Sequence, residues 1–73
     1  MLSARFDMLS SREREVMRLV VAGRLNKQIA NDIGIAEPTV KVHRTHLMRK
    51  MKVRTFPELC RMADILNIKP QQP

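Results

Sequence analysis

Tryptophan and tyrosine are absent, and the only aromatics are Phe6 and Phe56. Sheets that bind RNA or single strands stack bases on aromatic side chains, so this chain lacks their equipment. A single cysteine, Cys60, excludes an internal disulfide framework and a cysteine-rich zinc site. It fits a reducing, cytoplasmic compartment. No apolar run nears the roughly 18 residues that read as a membrane span, and no charged-then-apolar signal layout opens the chain. Acidic residues are scarce: seven Asp+Glu against 14 Lys+Arg, a net charge of +7 and a pI near 10.9. At 73 residues the chain makes one small domain with a marginal core. Its charge favours polyanions: DNA, RNA or an anionic membrane surface. Net charge discriminates weakly, and a merely solvated basic surface is the bland alternative.

What is present reads as an all-α fold, a compact four-helix domain. "LSSREREVMRLVVAG" places Glu13 three residues after Ser10, a capping box in which each side chain satisfies an orphan backbone N–H. Val16, Leu19 and Val20 follow at helical spacing and Gly23 suits the left-handed residue past a helix end, so a helix is expected over 11–22. "NKQIANDIG" gives a short second helix, with Asn26 as its N-cap, Ile29 and Ile33 one turn apart, and Gly34 at its end.

Thr39-Val40-Lys41-Val42-His43 alternates like a half-buried strand. Pro38 decides against that, since it is tolerated in a helix's first turn and out of place in a central strand. At about 100° per residue, Val40, Arg44, Leu47 and Met51 share one face, and Val42, Thr45, His46 and Arg49 the opposite one. The stretch is expected to be a helix over 37–52, anomalous in aiming Val42 at solvent. A fourth helix begins after a second capping box, Thr55 with Glu58, and buries Leu59, Met62, Ala63 and Leu66. The tail 69–73 is polar, rich in proline and expected to be disordered.

Two short helices joined by "GIAE" match a helix-turn-helix. Ala30 lets the helices approach, Gly34 permits the tight turn, and Ile29, Ile33, Ile35 and Val40 fill the angle between them. With "LSSREREVMRLVVAG", "NKQIANDIGIAEPTVKVHR" and the trailing "LMRKM", the chain resembles the C-terminal DNA-binding domain of LuxR/FixJ/NarL-type bacterial transcription regulators, over about Leu9 to Leu66. The resemblance implies a third helix in the major groove of double-stranded DNA, a dimer through the fourth helix on two-fold half-sites, and often an N-terminal receiver domain. No receiver precedes residue 1, so the expectation is either a response-regulator fragment, with 1–8 a linker remnant and 9–68 the domain, or a stand-alone regulator. Two departures stand out. Ser10-Ser11 replaces the family's usual Thr-Pro, which preserves the cap. Ala36 stands where a Ser or Thr usually caps the recognition helix, which weakens that helix end.

The outward face assigns base contacts to Lys41, Val42 and Thr45: lysine to guanine O6/N7 or a phosphate, valine to a thymine methyl. Asn26, Lys27, Thr39, His43, Arg49 and Lys52 are assigned to phosphates, the first three at helix N-termini where N–H groups favour anions. The bland readings are a solvated lysine, a scattered surface valine, simple capping at Asn26 and Lys27, and a packing histidine at His43. Arg44 is expected to pair with Glu13 or Glu15 of the first helix, with DNA contact as its second reading. Cys60, Arg61, Asp64 and Ile65 make the candidate dimer surface, a small patch suited to weak pairing. RNA polymerase is a further candidate partner, and a cytoplasmic, nucleoid-associated location follows from the resemblance. His43 and His46 lack an acidic or thiol partner at metal spacing, no catalytic constellation appears, and no cofactor is expected. The competing readings are a sigma-factor-like promoter domain, which shares the "REREV" start, and a protein-interaction module using the fourth helix.

Overall fold

The computed structural model describes residues 2–71, with side chains from residue 4. Five helices follow one another: α1 (Leu2–Asp7), α2 (Ser11–Val21), α3 (Asn26–Ile33), α4 (Glu37–Met51) and α5 (Phe56–Ile65). Helices α2 to α5 are the four expected from the sequence, close to their expected limits.

Helix α2 starts where the capping box places it. Ser10 Oγ accepts from the Glu13 N–H at 3.1 Å, and Glu13 Oε1 accepts from the Ser10 N–H at 2.9 Å. At α5 the box is only half formed. Thr55 Oγ1 accepts from the Glu58 N–H at 3.3 Å, but the N–H that reaches the Glu58 carboxylate is that of Arg54, at 3.4 Å.

The second cap falls one residue earlier than the sequence suggests. Leu25, not Asn26, is the N-cap of α3. Its side chain has nothing to offer an N–H, and Gln28 Oε1 instead accepts from the Leu25 N–H at 2.9 Å. Asn26 is thereby freed for another task. Ala36, the N-cap of α4, supplies no side-chain hydrogen bond.

The turn between α3 and α4 depends on Gly34, whose φ of +70° lies where side chains are strained. Its N–H and that of Ile35 both donate to the Ala30 carbonyl, closing the end of α3. Ile29 and Val40 are fully buried, with Ile33 and Ile35 packed beside them. Around this hinge, Val16, Met17, Leu19, Val20, Leu47, Met51 and Leu59 complete one core. Leu66 and Ile68 pack on its edge, half-buried.

Residues 2–7, read from the sequence as part of a linker, form α1, which packs against α4. Phe6 anchors it: the Arg14 guanidinium lies 5.1 Å and that of Arg18 5.9 Å from the ring centre, within cation–π range. Arg14 Nη2 also donates to the Asp7 carbonyl at 3.1 Å. Six residues are too few to announce a helix by pattern; its partners on α2 and α4 hold it. The tail shows a similar tie, since the Gln71 N–H donates to the Arg18 carbonyl at 3.1 Å. Met1 and the last two tail positions lie outside the described residues.

Candidate nucleic-acid interface

Helix α4 buries Val40, Leu47 and Met51 and turns Lys41, Val42, Thr45 and Arg49 outward. Val42 is 51% exposed in a helix that has better-protected positions to give an apolar side chain. With Lys41, Thr45 and His46 it lines a shallow depression on the outer face. Lys41 reaches back toward Glu37, Nζ to Oε2 3.9 Å, an exposed and loose pair. Thr45 Oγ1 donates to the Lys41 carbonyl at 3.0 Å. Its hydroxyl proton is therefore committed to the helix, and it has a methyl and an acceptor left to present.

Beside this face runs a groove lined by Asn26, Lys41, Arg44, Thr45, Arg49 and Arg54, with Met48 and Val53 in its floor. Four of its residues are cationic and none is acidic. Arg54 was not singled out by the sequence: it lies in the loop before α5, where no periodicity points to a face.

Arg44 does not meet Glu13 or Glu15. Its Nη1 donates to Asn26 Oδ1 at 3.0 Å, tying the first turn of α3 to the middle of α4. The expected partnership fails because Glu13 is already engaged. This carboxylate is 4% exposed and accepts from Lys50 Nζ at 2.7 Å and from the Ser10 N–H at 2.9 Å. His46 Nδ1 stands 3.8 Å from its other oxygen. Burial pushes the Glu13 pKa up; the hydrogen bonds from Lys50 and Ser10 and the attraction to Lys50 outweigh it, leaving the value below the ordinary 4.5. Glu13 thus anchors α2 to α4 through Lys50, one turn beyond His46.

A second ion pair fixes α3. Arg24 grips Asp32 through two bonds, Nε to Oδ2 2.9 Å and Nη2 to Oδ1 2.8 Å. The Arg24 hydrogen bonds hold Asp32 below its ordinary pKa, and those to Asp32 raise Arg24. No local spacing points to this pair, whose members lie eight residues apart across a turn.

The remaining sequence-derived candidates divide as follows. Lys27 and Thr39 are exposed in the first turns of α3 and α4. The Thr39 N–H is already bonded to the Ala36 carbonyl at 3.0 Å, and Pro38 has none, so the start of α4 offers an anion the Thr39 hydroxyl more than a nest of N–H groups. His43 is half-buried, and Arg49 and Lys52 are exposed at the far end of α4. On α5, Arg61 and Asp64 are exposed, Ile65 is 59% exposed and Cys60 is half-buried. Among the described residues no group of three His, Cys, Asp or Glu side chains could hold a metal ion. No described helix is long and apolar enough to cross a membrane.

Comparison with known proteins agrees with this geometry. Residues 7–70 match the family described as "Bacterial regulatory proteins, luxR family". The chain is 48% identical over 67 residues to Nodulation protein W of Bradyrhizobium diazoefficiens, covering 92% of this chain and 30% of that protein. It is 53% identical over 60 residues to Transcriptional regulatory protein FixJ of Rhizobium meliloti, covering 82% of this chain and 29% of that one. The solved response regulator StyR superposes with a TM-score of 0.86 at 44% identity, over 88% of this chain and 32% of StyR. The chain therefore spans less than a third of the length of each of these relatives. It belongs to the luxR family of bacterial regulatory proteins, as a helix-turn-helix DNA-binding domain of a transcription regulator rather than an enzyme.

Proposed function

We propose that this domain is the effector part of a response regulator and reads duplex DNA with the outward face of α4 in the major groove. The observation that carries the reading is Val42, an apolar side chain held at the surface between Lys41 and Thr45, beside a groove whose charged side chains are all cationic. Lys41 donates to guanine or to a neighbouring phosphate, and Val42 meets a thymine methyl. Thr45, with its proton committed to Lys41, contributes its methyl or accepts from a base amino group.

Phosphates on either side are taken by Lys27, the Asn26 amide, the Thr39 hydroxyl, His43, Arg49 and Lys52, with Arg54 added from the groove. These contacts position the domain, while the base contacts specify the site. Two copies pair weakly through Cys60, Arg61, Asp64 and Ile65 of α5. Adjacent half-sites raise their effective concentration, so pairing is cooperative on DNA and slight in free solution. RNA polymerase is the downstream partner in this reading, and the site of action is the bacterial cytoplasm at the nucleoid. The response-regulator origin rests on StyR and on relatives named as response regulators.

Selection of binding sites from random duplex DNA tests the reading. Enrichment of a sequence with two-fold related half-sites, each containing at least one essential thymine, is expected. A pool that stays random after successive rounds contradicts sequence-specific readout.

A further inference from the structure

Arg49 borders two grooves. One is the α3/α4 groove described above. The other runs between α1 and the end of α4 and is lined by Ala4, Arg5, Met8, Arg49, Lys50 and Lys52. Four of those six side chains are cations, and no carboxylate lines the groove. Lys50 is occupied by Glu13. Arg5, Arg49 and Lys52 form no ion pair among the described residues.

Cations at a helix C-terminus have an ordinary explanation, since the last carbonyls carry partial negative charge. Here that role is already served. Arg5 Nη1 donates to the carbonyl of Met51, the last residue of α4, at 3.3 Å. The same bond matters to an incoming anion, because it covers a carbonyl that would repel one. A guanidinium carries five N–H donors, so Arg5 keeps donors to spare. Three unpaired cations around one groove repel each other, and an oxyanion between them turns repulsion into attraction. Because Arg49 lies on both grooves, the basic surface is continuous from Arg54 and Arg44, past Arg49, to Lys52 and Arg5.

We propose that α1 carries a phosphate site of its own: Arg5, with Arg49 and Lys52, grips the backbone of double-stranded DNA beyond the base pairs that α4 covers. The inference rests on the DNA-binding reading and extends it to a segment that neither the helix-turn-helix nor the dimer face includes. The domain's footprint is then longer than its half-site, and flanking duplex of any sequence adds affinity.

The test is a salt titration of the 73-residue chain on two duplexes sharing one half-site. One duplex ends at the site, and the other continues for about one helical turn on each side, about 10 base pairs. Each phosphate neutralised contributes about −0.9 to the slope of log K against log salt. Arg5→Gln, which removes the charge and keeps a shorter amide donor, is expected to flatten the slope on the long duplex by about 0.9 and leave the short one unchanged. Arg5→Lys is expected to keep the wild-type slope on both. An unchanged slope for Arg5→Gln on the long duplex overturns the proposal. So does an equal loss on both duplexes accompanied by a fall in Tm, which would reduce Arg5 to a cap for α4. A steep wild-type slope with an indifferent Arg5 leaves the DNA-binding reading standing; a wild-type slope near zero on both duplexes removes that reading as well.

Discussion

Arg44 of α4 donates to the side-chain oxygen of Asn26 in α3 at 3.0 Å, joining residues 18 apart in sequence across the angle of the helix-turn-helix. The bond orients the Asn26 amide group toward the groove and holds Arg44 at its edge. Removing either partner should cost stability about 0.5–1.5 kcal/mol, the net worth of one hydrogen bond. Arg44→Met and Asn26→Ala should not add, because both remove the same contact. Thermal denaturation of the two single variants and the double variant measures this; additive losses would show that the side chains act separately.

The buried carboxylate of Glu13 makes stability depend on acid. Its pKa is depressed in the fold, so the folded chain binds its proton less readily than the unfolded chain. The contribution is complete above the ordinary 4.5 and is lost as pH falls through the lower folded value. Glu13→Gln should cost about 1–3 kcal/mol at neutral pH, by leaving Lys50 without its charged acceptor, and should flatten the pH dependence of Tm on the acid side. Denaturation scans from neutral pH down to about pH 3 compare the two proteins over this carboxylate range. Identical acid limbs would mean that other carboxylates control the transition.

Two left-handed residues predict opposite outcomes. Gly34 has φ +70° and open space where a Cβ would stand, so Gly34→Ala suffers backbone strain without a clash, about 1–2 kcal/mol. Lys52 adopts φ 57° with a side chain, so Lys52→Gly relieves similar strain and should hold or raise Tm. If Lys52 meets a phosphate, the same variant should bind DNA less tightly, with a shallower salt dependence. A variant that gains stability and loses no affinity would remove Lys52 from the interface.

Much of this was readable in the residues, and the parts that were not share a cause. The Ser10–Glu13 box, the turn at Gly34 and the buried stripe Val40, Leu47, Met51 are local patterns, set by spacing within one helix or turn. Leu25 as the cap of α3 was missed because cap preferences favour Asn26, whose side chain is claimed by Arg44 through tertiary packing. The pairing of Glu13 with Lys50 rather than Arg44 depends on how α2 crosses α4, 37 residues apart in sequence. Helix α1 is too short to show periodicity, and Arg54 lies in a loop; only the folded chain brings it to the groove.

The proposed α5 surface makes a prediction that separates pairing from folding. Cys60 is half-buried while Ile65 is largely exposed, so Ile65→Glu is the cleaner probe. It should weaken binding to a full two-fold site, leave half-site binding intact and barely change Tm. Cys60→Glu should weaken the full site too, with some loss of Tm from its buried part. Equal losses on half-site and full-site duplexes would move the dimer surface elsewhere.

The most direct test of the central claim compares wild type with the Lys41→Ala and Val42→Ala variants on the selected duplex and on a scrambled one, at fixed salt. Base readout by the outward face of α4 predicts that Lys41→Ala loses about 1–3 kcal/mol on the selected duplex, that Val42→Ala relaxes the preference at one thymine position, and that both lose much less on the scrambled duplex. It also predicts that replacing the contacted thymine by deoxyuridine weakens wild type and leaves Val42→Ala indifferent. Variants that keep the full wild-type preference for the selected duplex would contradict the account.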